Sequence, residues 1–298
     1  MTKSNDNEST SGHPPNSANR PVRVGVILGD LGKLNTTALK YLIVHLNTLQ
    51  GSIEFELLSP QADDPLLTAL APRRVVDREQ CRKMLPDFRD RVLKHLASEQ
   101  ADYDLSDRSV PQGLVVISLA RLSDDYYGLK SGKVQVQALG EWDRRMAPPS
   151  IFEFIITLLM RQSASFAAPT VSKSVHLGTK GCLFDFTADL GEARYKALQS
   201  YICSVCRERL KAVGAINLAD DLTRVLDTRW LGTSADPACP AGIVANLGYD
   251  LFRTKGIKPT LWESIRALLR DEVTKAFINL IAAVLLAALL IWLGLKPR

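Results

Sequence analysis

Four residues in one short stretch carry the strongest chemistry in this chain: His176, Cys182, Cys203 and Cys206, within HLGTKGCLFDFTADLGEARYKALQSYICSVC. They gather three of its five cysteines and one of its four histidines. The order His176-x5-Cys182-x20-Cys203-x2-Cys206 gives two short-range pairs joined by a connecting segment, the layout a tetrahedral zinc site uses. Three thiolates and one imidazole fill four positions and leave none for water, so the expected Zn2+ is structural. Gly178 and Gly181 allow a tight turn inside the first pair, and Cys203 and Cys206, three apart, would face the same way on a helical turn. Two other readings stand beside this one. The four could be small buried residues around a core, since free cysteine is commonly buried, or the CxxC could be redox-active. The clustering in a cysteine-poor chain and the companions of the CxxC favour the metal.

Carboxylates offer a second chemistry. Asp124 and Asp125 lie in LSDDYYGL, Glu141 and Asp143 in EWDRR, and Asp185 and Asp189 follow Cys182. Such pairs can hold a hydrolytic metal, but in polar loops they are usually solvated. Asp185, between aromatics, could instead accept a hydrogen bond from a metal-bound His176. The turn GDLGKLNTT is not a phosphate loop: Lys33 is followed by Leu34, and Ile27 stands where the earlier glycine is needed. It reads as a glycine-bearing turn ahead of a helix.

The zinc spacing resembles the archaemetzincins, zinc metallopeptidases in which HExxHxxGxxH is followed at once by Cys-x4-Cys-x-Met-x17-Cys-x2-Cys. Here His176 takes the place of the first Cys, Cys182 of the second and Phe184 of the Met, and the gaps differ by one residue each. The resemblance spans roughly residues 113–210 and implies a second, structural zinc beside a metzincin-like arrangement of sheet and helix. The family's catalytic half is missing. Its spacing puts Ser165, Phe166, Pro169 and Val175 where His, Glu, His and His should stand, and the remaining histidines are His13, His45 and His95. Without three ligands and a general-base Glu there is no activated water for proteolysis of that kind. Glu153 reads as a helix-start carboxylate near the macrodipole.

The elements that must position these residues are those of an α/β fold, with a mixed or mostly parallel sheet, flanking helices and a zinc-stapled helical C-terminal part. PVRVGVIL (21–28) reads as a buried strand, LNTTALKYLIVHLNTL as a helix, and SIEFELLSP as a second strand, a β-α-β unit. A helix over 78–98, with Pro86 a possible bend, precedes a buried strand at 113–119. KVQVQAL (133–139) alternates as an exposed or edge strand would, and SIFEFIITLLMRQ (150–162) is an apolar helix. Helices are expected over 192–213 and 215–227.

A single transmembrane helix is expected at AFINLIAAVLLAALLIWLGL (276–295), uncharged and free of proline. Twenty helical residues extend about 30 Å, the thickness of a bilayer's hydrocarbon core. PTLWESIRALLRDEVTKAF ahead of it reads as an amphipathic helix with Thr260 as N-cap and Glu263 completing a capping box. The expected organisation is a disordered leader (1–20), an α/β body (21–230) holding the zinc site at 176–206, a linker and juxtamembrane helix (231–275), and the transmembrane helix. With no secretory signal at the start, the body is expected on the cytoplasmic side and the chain tail-anchored in the membrane.

The formal charge of +5 is only mildly basic, and no aromatic-plus-basic module accompanies it, so nucleic acid is an unlikely partner. The lipid bilayer is the expected partner, with a protein partner or a second copy reached through the anchor, where Ala283 and Ala287 give a small-xxx-small spacing. The leading expectation for function is a non-catalytic binding or sensing module, with enzymatic activity left undecided. The alternatives are a membrane-anchored, diverged metallopeptidase-like hydrolase and a membrane-acting effector.

Overall fold

The computed structural model describes residues 20–61, 63–105, 109–173, 175–177 and 181–293. The leader over 1–19, Gly178 and the last residues of the expected span lie outside them. The β-branched run at the start forms β1 (Val22–Leu28), followed by α1 (Thr36–Leu49) and β2 (Ile53–Leu58). The glycine-bearing turn before α1 ends in Asn35, whose side chain caps the helix by accepting from the Ala38 N–H. Next come α2 (Pro65–Ala69), β3 (Val75–Val76) and α3 (Arg78–Asp102), which holds Pro86 in its interior. Then follow β4 (Gly113–Ser118), β5 (Arg121–Leu122), β6 (Gly128–Ser131) and β7 (Val134–Ala138).

The main sheet runs β2-β1-β4-β7-β6, parallel except for β6, which pairs antiparallel with β7; β3 and β5 form a short separate pair. Side chains alternate between two faces, as a strand's two-residue period requires. Val24, Val26, Val115 and Ile117 meet α1 and α4 (Ile151–Ala167), whereas Ile27, Leu114 and Val116 meet α2 and α3. Buried side chains of this size each contribute roughly 1.5–3 kcal/mol.

The edge assignment of residues 133–139 is corrected: β7 lies inside the sheet with all five residues buried. Its alternating glutamines are not solvated. Gln137 donates to Gln162 Oε1 at 2.9 Å and Gln135 to the Gln162 carbonyl at 3.1 Å, so α4 supplies the partners that water would have. The edge on this side of the sheet is β6, absent from the sequence-based reading.

After α4 come α5 (Pro169–Lys173), α6 (Leu190–Gln199), α7 (Ser204–Ala212), α8 (Ile216–Leu226), α9 (Pro240–Asn246), α10 (Leu251–Thr254) and α11 (Leu261–Trp292). The single helix expected over 192–213 is in fact α6 and α7, because Tyr201 leaves the helix to pair with the Cys182 loop. α11 merges the amphipathic segment and the apolar segment in one rod. It carries the Thr260–Glu263 capping box, is long and apolar enough to cross a membrane, and buries none of its most apolar window against the body.

Candidate metal centre

The loop that presents the first pair of donors is built on two short backbone pairings. His176 bridges to Asp185, and Cys182 bridges to Tyr201. Leu183 N–H donates to the Tyr201 carbonyl (2.8 Å) and Tyr201 N–H to the Gly181 carbonyl (3.1 Å), which brings the segment ahead of α7 beside Cys182. Gly181 turns this loop with φ +110°, a backbone conformation that side chains rarely adopt, and a Cβ there would sit 2.7 Å from Gln199 Cβ. Cys203 is the N-cap of α7, not a mid-helix residue, and its sulfur accepts from the Cys206 N–H at 3.4 Å. The two sulfurs therefore converge through a cap and the first turn that follows it.

The donor atoms of His176, Cys182, Cys203 and Cys206 all lie within 4.8 Å of one another. His176 Nε2 is 3.1 Å from Cys206 Sγ and 3.4 Å from Cys203 Sγ, and the Cys182 and Cys206 sulfurs are 3.9 Å apart. A tetrahedral zinc with bonds of about 2.3 Å to sulfur and about 2.0 Å to nitrogen requires donor separations of roughly 3.5–3.8 Å. The donor types suit that ion and the separations lie within about 1 Å of its geometry, so small side-chain shifts would complete it, and the sulfur separation is far outside disulfide bonding. Cys81 and Cys239 stand apart; Cys81 is buried among the α3 side chains, where burial pushes its thiol up to about 11.

Asp185 orients the imidazole. Its Oδ1 is 2.8 Å from His176 Nδ1, which fixes the proton there and leaves Nε2 bare toward the thiols. The carboxylate is fully buried, and its other oxygen accepts from the Gly181 N–H at 3.1 Å with Lys196 Nζ 3.8 Å away. Among the thiols, the contact with Cys206 outweighs burial and lowers Cys182 to about 5, while the same contact and burial raise Cys206. Of this pair, Cys182 is therefore the thiol poised to ionise first.

Arg161 locks the centre to the core. From α4 its guanidinium donates to the carbonyls of Leu183 (2.9 Å) and Asp185 (2.7 Å). Sequence reasoning passed over this arginine, although one cation near the end of an otherwise apolar helix was the visible signal.

The remaining candidates do not assemble. Asp124 pairs with Arg78 at 2.6 Å, Asp125 with Arg121, and Asp143 with Arg145 at 2.9 Å, so arginines neutralise these carboxylates. Glu153 closes a capping box with Ser150, accepting from its N–H at 2.7 Å. His45 stacks between Tyr41 and Trp230, and His95 faces Glu99 across one turn of α3.

No protein-family profile and no curated protein matches the sequence. Among solved structures the chain is similar to an archaemetzincin from Methanopyrus kandleri, at 12% identity and a TM-score of 0.41, over 66% of this chain and 97% of that one.

Proposed function

We propose that this chain is a membrane-anchored binding module whose α/β body is stapled by one structural zinc. The observation that carries the reading is the closed donor set. Three sulfurs and one imidazole nitrogen converge within 4.8 Å, and a tetrahedral ion held by all four keeps no position for water or substrate. Bound there, zinc would supply cross-linking of His176 and the 181–185 segment to the start of α7. His176, Cys182, Cys203 and Cys206 would hold it, Asp185 would fix the imidazole tautomer, and Arg161 would tie the loop to α4.

The anchor in this proposal is α11, with the bilayer as its partner and a second copy able to pack along Ala283 and Ala287. Arg266, Arg270 and Lys275 precede the uncharged run, which favours a cytoplasmic body. The test is metal content of the full chain in detergent. One zinc per chain, lost together with the folded body in Cys203→Ser/Cys206→Ser, fits the proposal. A chelator-sensitive hydrolytic activity in protein that stays folded would replace it with the metallopeptidase-like reading.

A further inference from the structure

A second site lies at the β6 edge of the sheet, in a cleft of about 370 Å³ between the start of α3, β6, α4 and α5. Five of its lining residues are cations (Arg78, Arg82, Lys130, Arg161 and Lys173) and, among the described residues, no carboxylate lines it. Two of those charges are matched from outside the cleft: Arg78 by Asp124 and Arg82 by Glu79. The other three are not. Arg161 spends its donors on backbone carbonyls, Lys130 Nζ donates to Ser165 Oγ at 3.0 Å, and no carboxylate partner meets Lys173 among the described residues.

This concentration of charge is held in place by neighbouring rings. The Arg78 guanidinium lies 4.6 Å from the Tyr126 ring centre, Arg161 lies 5.7 Å from that of Tyr127, and Lys130 Nζ lies 5.2 Å from that of Phe166. Two buried donors in the same wall, Arg78 Nε and Arg82 Nε, have no hydrogen-bond partner among the described residues, which is uncommon for buried polar atoms. Burial lowers the Lys130 ammonium, and the like charges of Lys133 and Lys173 lower it further, so an anion between them would relieve a repulsion already present. Ser165 and Ser172 also line the cleft, but their hydroxyls donate to the Gln162 and Pro169 carbonyls, which leaves recognition to the cations.

We infer that this cleft binds a phosphomonoester or pyrophosphate group. A dianion with three or more terminal oxygens can bridge Lys130 and Lys173 and reach the neighbouring guanidinium groups at once, which a single carboxylate does not. The volume leaves room for an organic portion beside the Tyr126 and Phe184 rings. The same chemistry is offered by a soluble phosphate ester or by a phosphatidic acid headgroup. The inference names the ligand class of the binding module proposed above, and rests on that reading only in taking the body to bind and not to cleave. Because Arg161 contacts both the cleft and the zinc loop, the two sites share one rigid support.

The experiment titrates inorganic pyrophosphate into the full chain in phosphatidylcholine nanodiscs at low salt, by calorimetry, with zinc content measured on the same sample. Saturable binding is expected, weakening as salt rises. It should fall at least about fivefold in Lys130→Ala/Lys173→Ala and less than that in Lys40→Ala/Lys211→Ala, which removes equal charge from exposed positions outside the cleft. Repeating it with phosphatidic acid in the nanodisc separates the sources. Lost pyrophosphate binding identifies the headgroup, and unchanged binding identifies a soluble ester. No saturable binding by the wild type, or an equal loss in both lysine pairs, overturns the inference. Wild type that carries one zinc yet fails to bind pyrophosphate removes the cleft alone; wild type that binds without zinc removes the zinc reading alone.

Discussion

His176 Nδ1 and Asp185 Oδ1 stand 2.8 Å apart, with the carboxylate fully buried and the opposite ring nitrogen facing two thiols. A buried charge is costly unless it is paired, and here one carboxylate is matched by the imidazole, the Gly181 N–H and Lys196. The pair selects the tautomer that can donate an electron pair to a metal. Asp185→Asn keeps the shape and removes the charge. It should weaken zinc binding about 10- to 100-fold in competition with a chromophoric chelator. Asp189→Asn, an exposed N-cap four residues on where asparagine caps equally well, should leave affinity unchanged.

Proton release on zinc binding follows from the thiols. Cys182 is lowered to about 5 by its contact with Cys206, so near neutral pH it is already a thiolate and contributes no proton. Calorimetry in buffers of different ionisation enthalpy, at about pH 7, should count one proton fewer than the roughly three that three ordinary thiols release. A full count of three would show that the Cys182–Cys206 contact does not poise the site.

Gly181 should be intolerant of a side chain for two reasons, its φ of +110° and the 2.7 Å approach of a new Cβ to Gln199. Gly181→Ala should cost about 1–3 kcal/mol or more in thermal unfolding and weaken zinc retention with it. Gly132 also has positive φ (+54°) but open space around it, so Gly132→Asn should unfold close to wild type.

At 32 residues α11 extends about 48 Å, more than the hydrocarbon core requires, and its most apolar window finds no cover on the body. Full-length protein should resist alkaline carbonate extraction from membranes. Leu285→Lys near the middle of the apolar run should oppose insertion by about 2.5–3.5 kcal/mol and shift protein into the extractable fraction. Wild-type chain that stays soluble and monodisperse without detergent would contradict this.

Much of this was legible because it depended on local pattern. The β-branched run marked β1, short apolar runs marked β2 and β4, and Thr260 with Glu263 marked the start of α11. The four donors were visible from their clustering and spacing along the chain. What escaped was set by tertiary partners. β7 read as an edge strand because Gln135 and Gln137 look solvated until α4 is in place to bond them. The break between α6 and α7 hid for a similar reason: residues 192–213 have good helical periodicity, and only the pairing of Tyr201 with Cys182 interrupts it. The basic cleft joins α3, β6, α4 and α5 across about a hundred residues of sequence, so no window along the chain could display it.

The central claim is tested most directly by zinc K-edge X-ray absorption on the full chain, with metal counted on the same sample. One zinc per chain is predicted, with three sulfurs at about 2.3 Å and one nitrogen at about 2.0 Å. A shell containing water or carboxylate oxygen, or a second bound metal, would contradict a closed structural site.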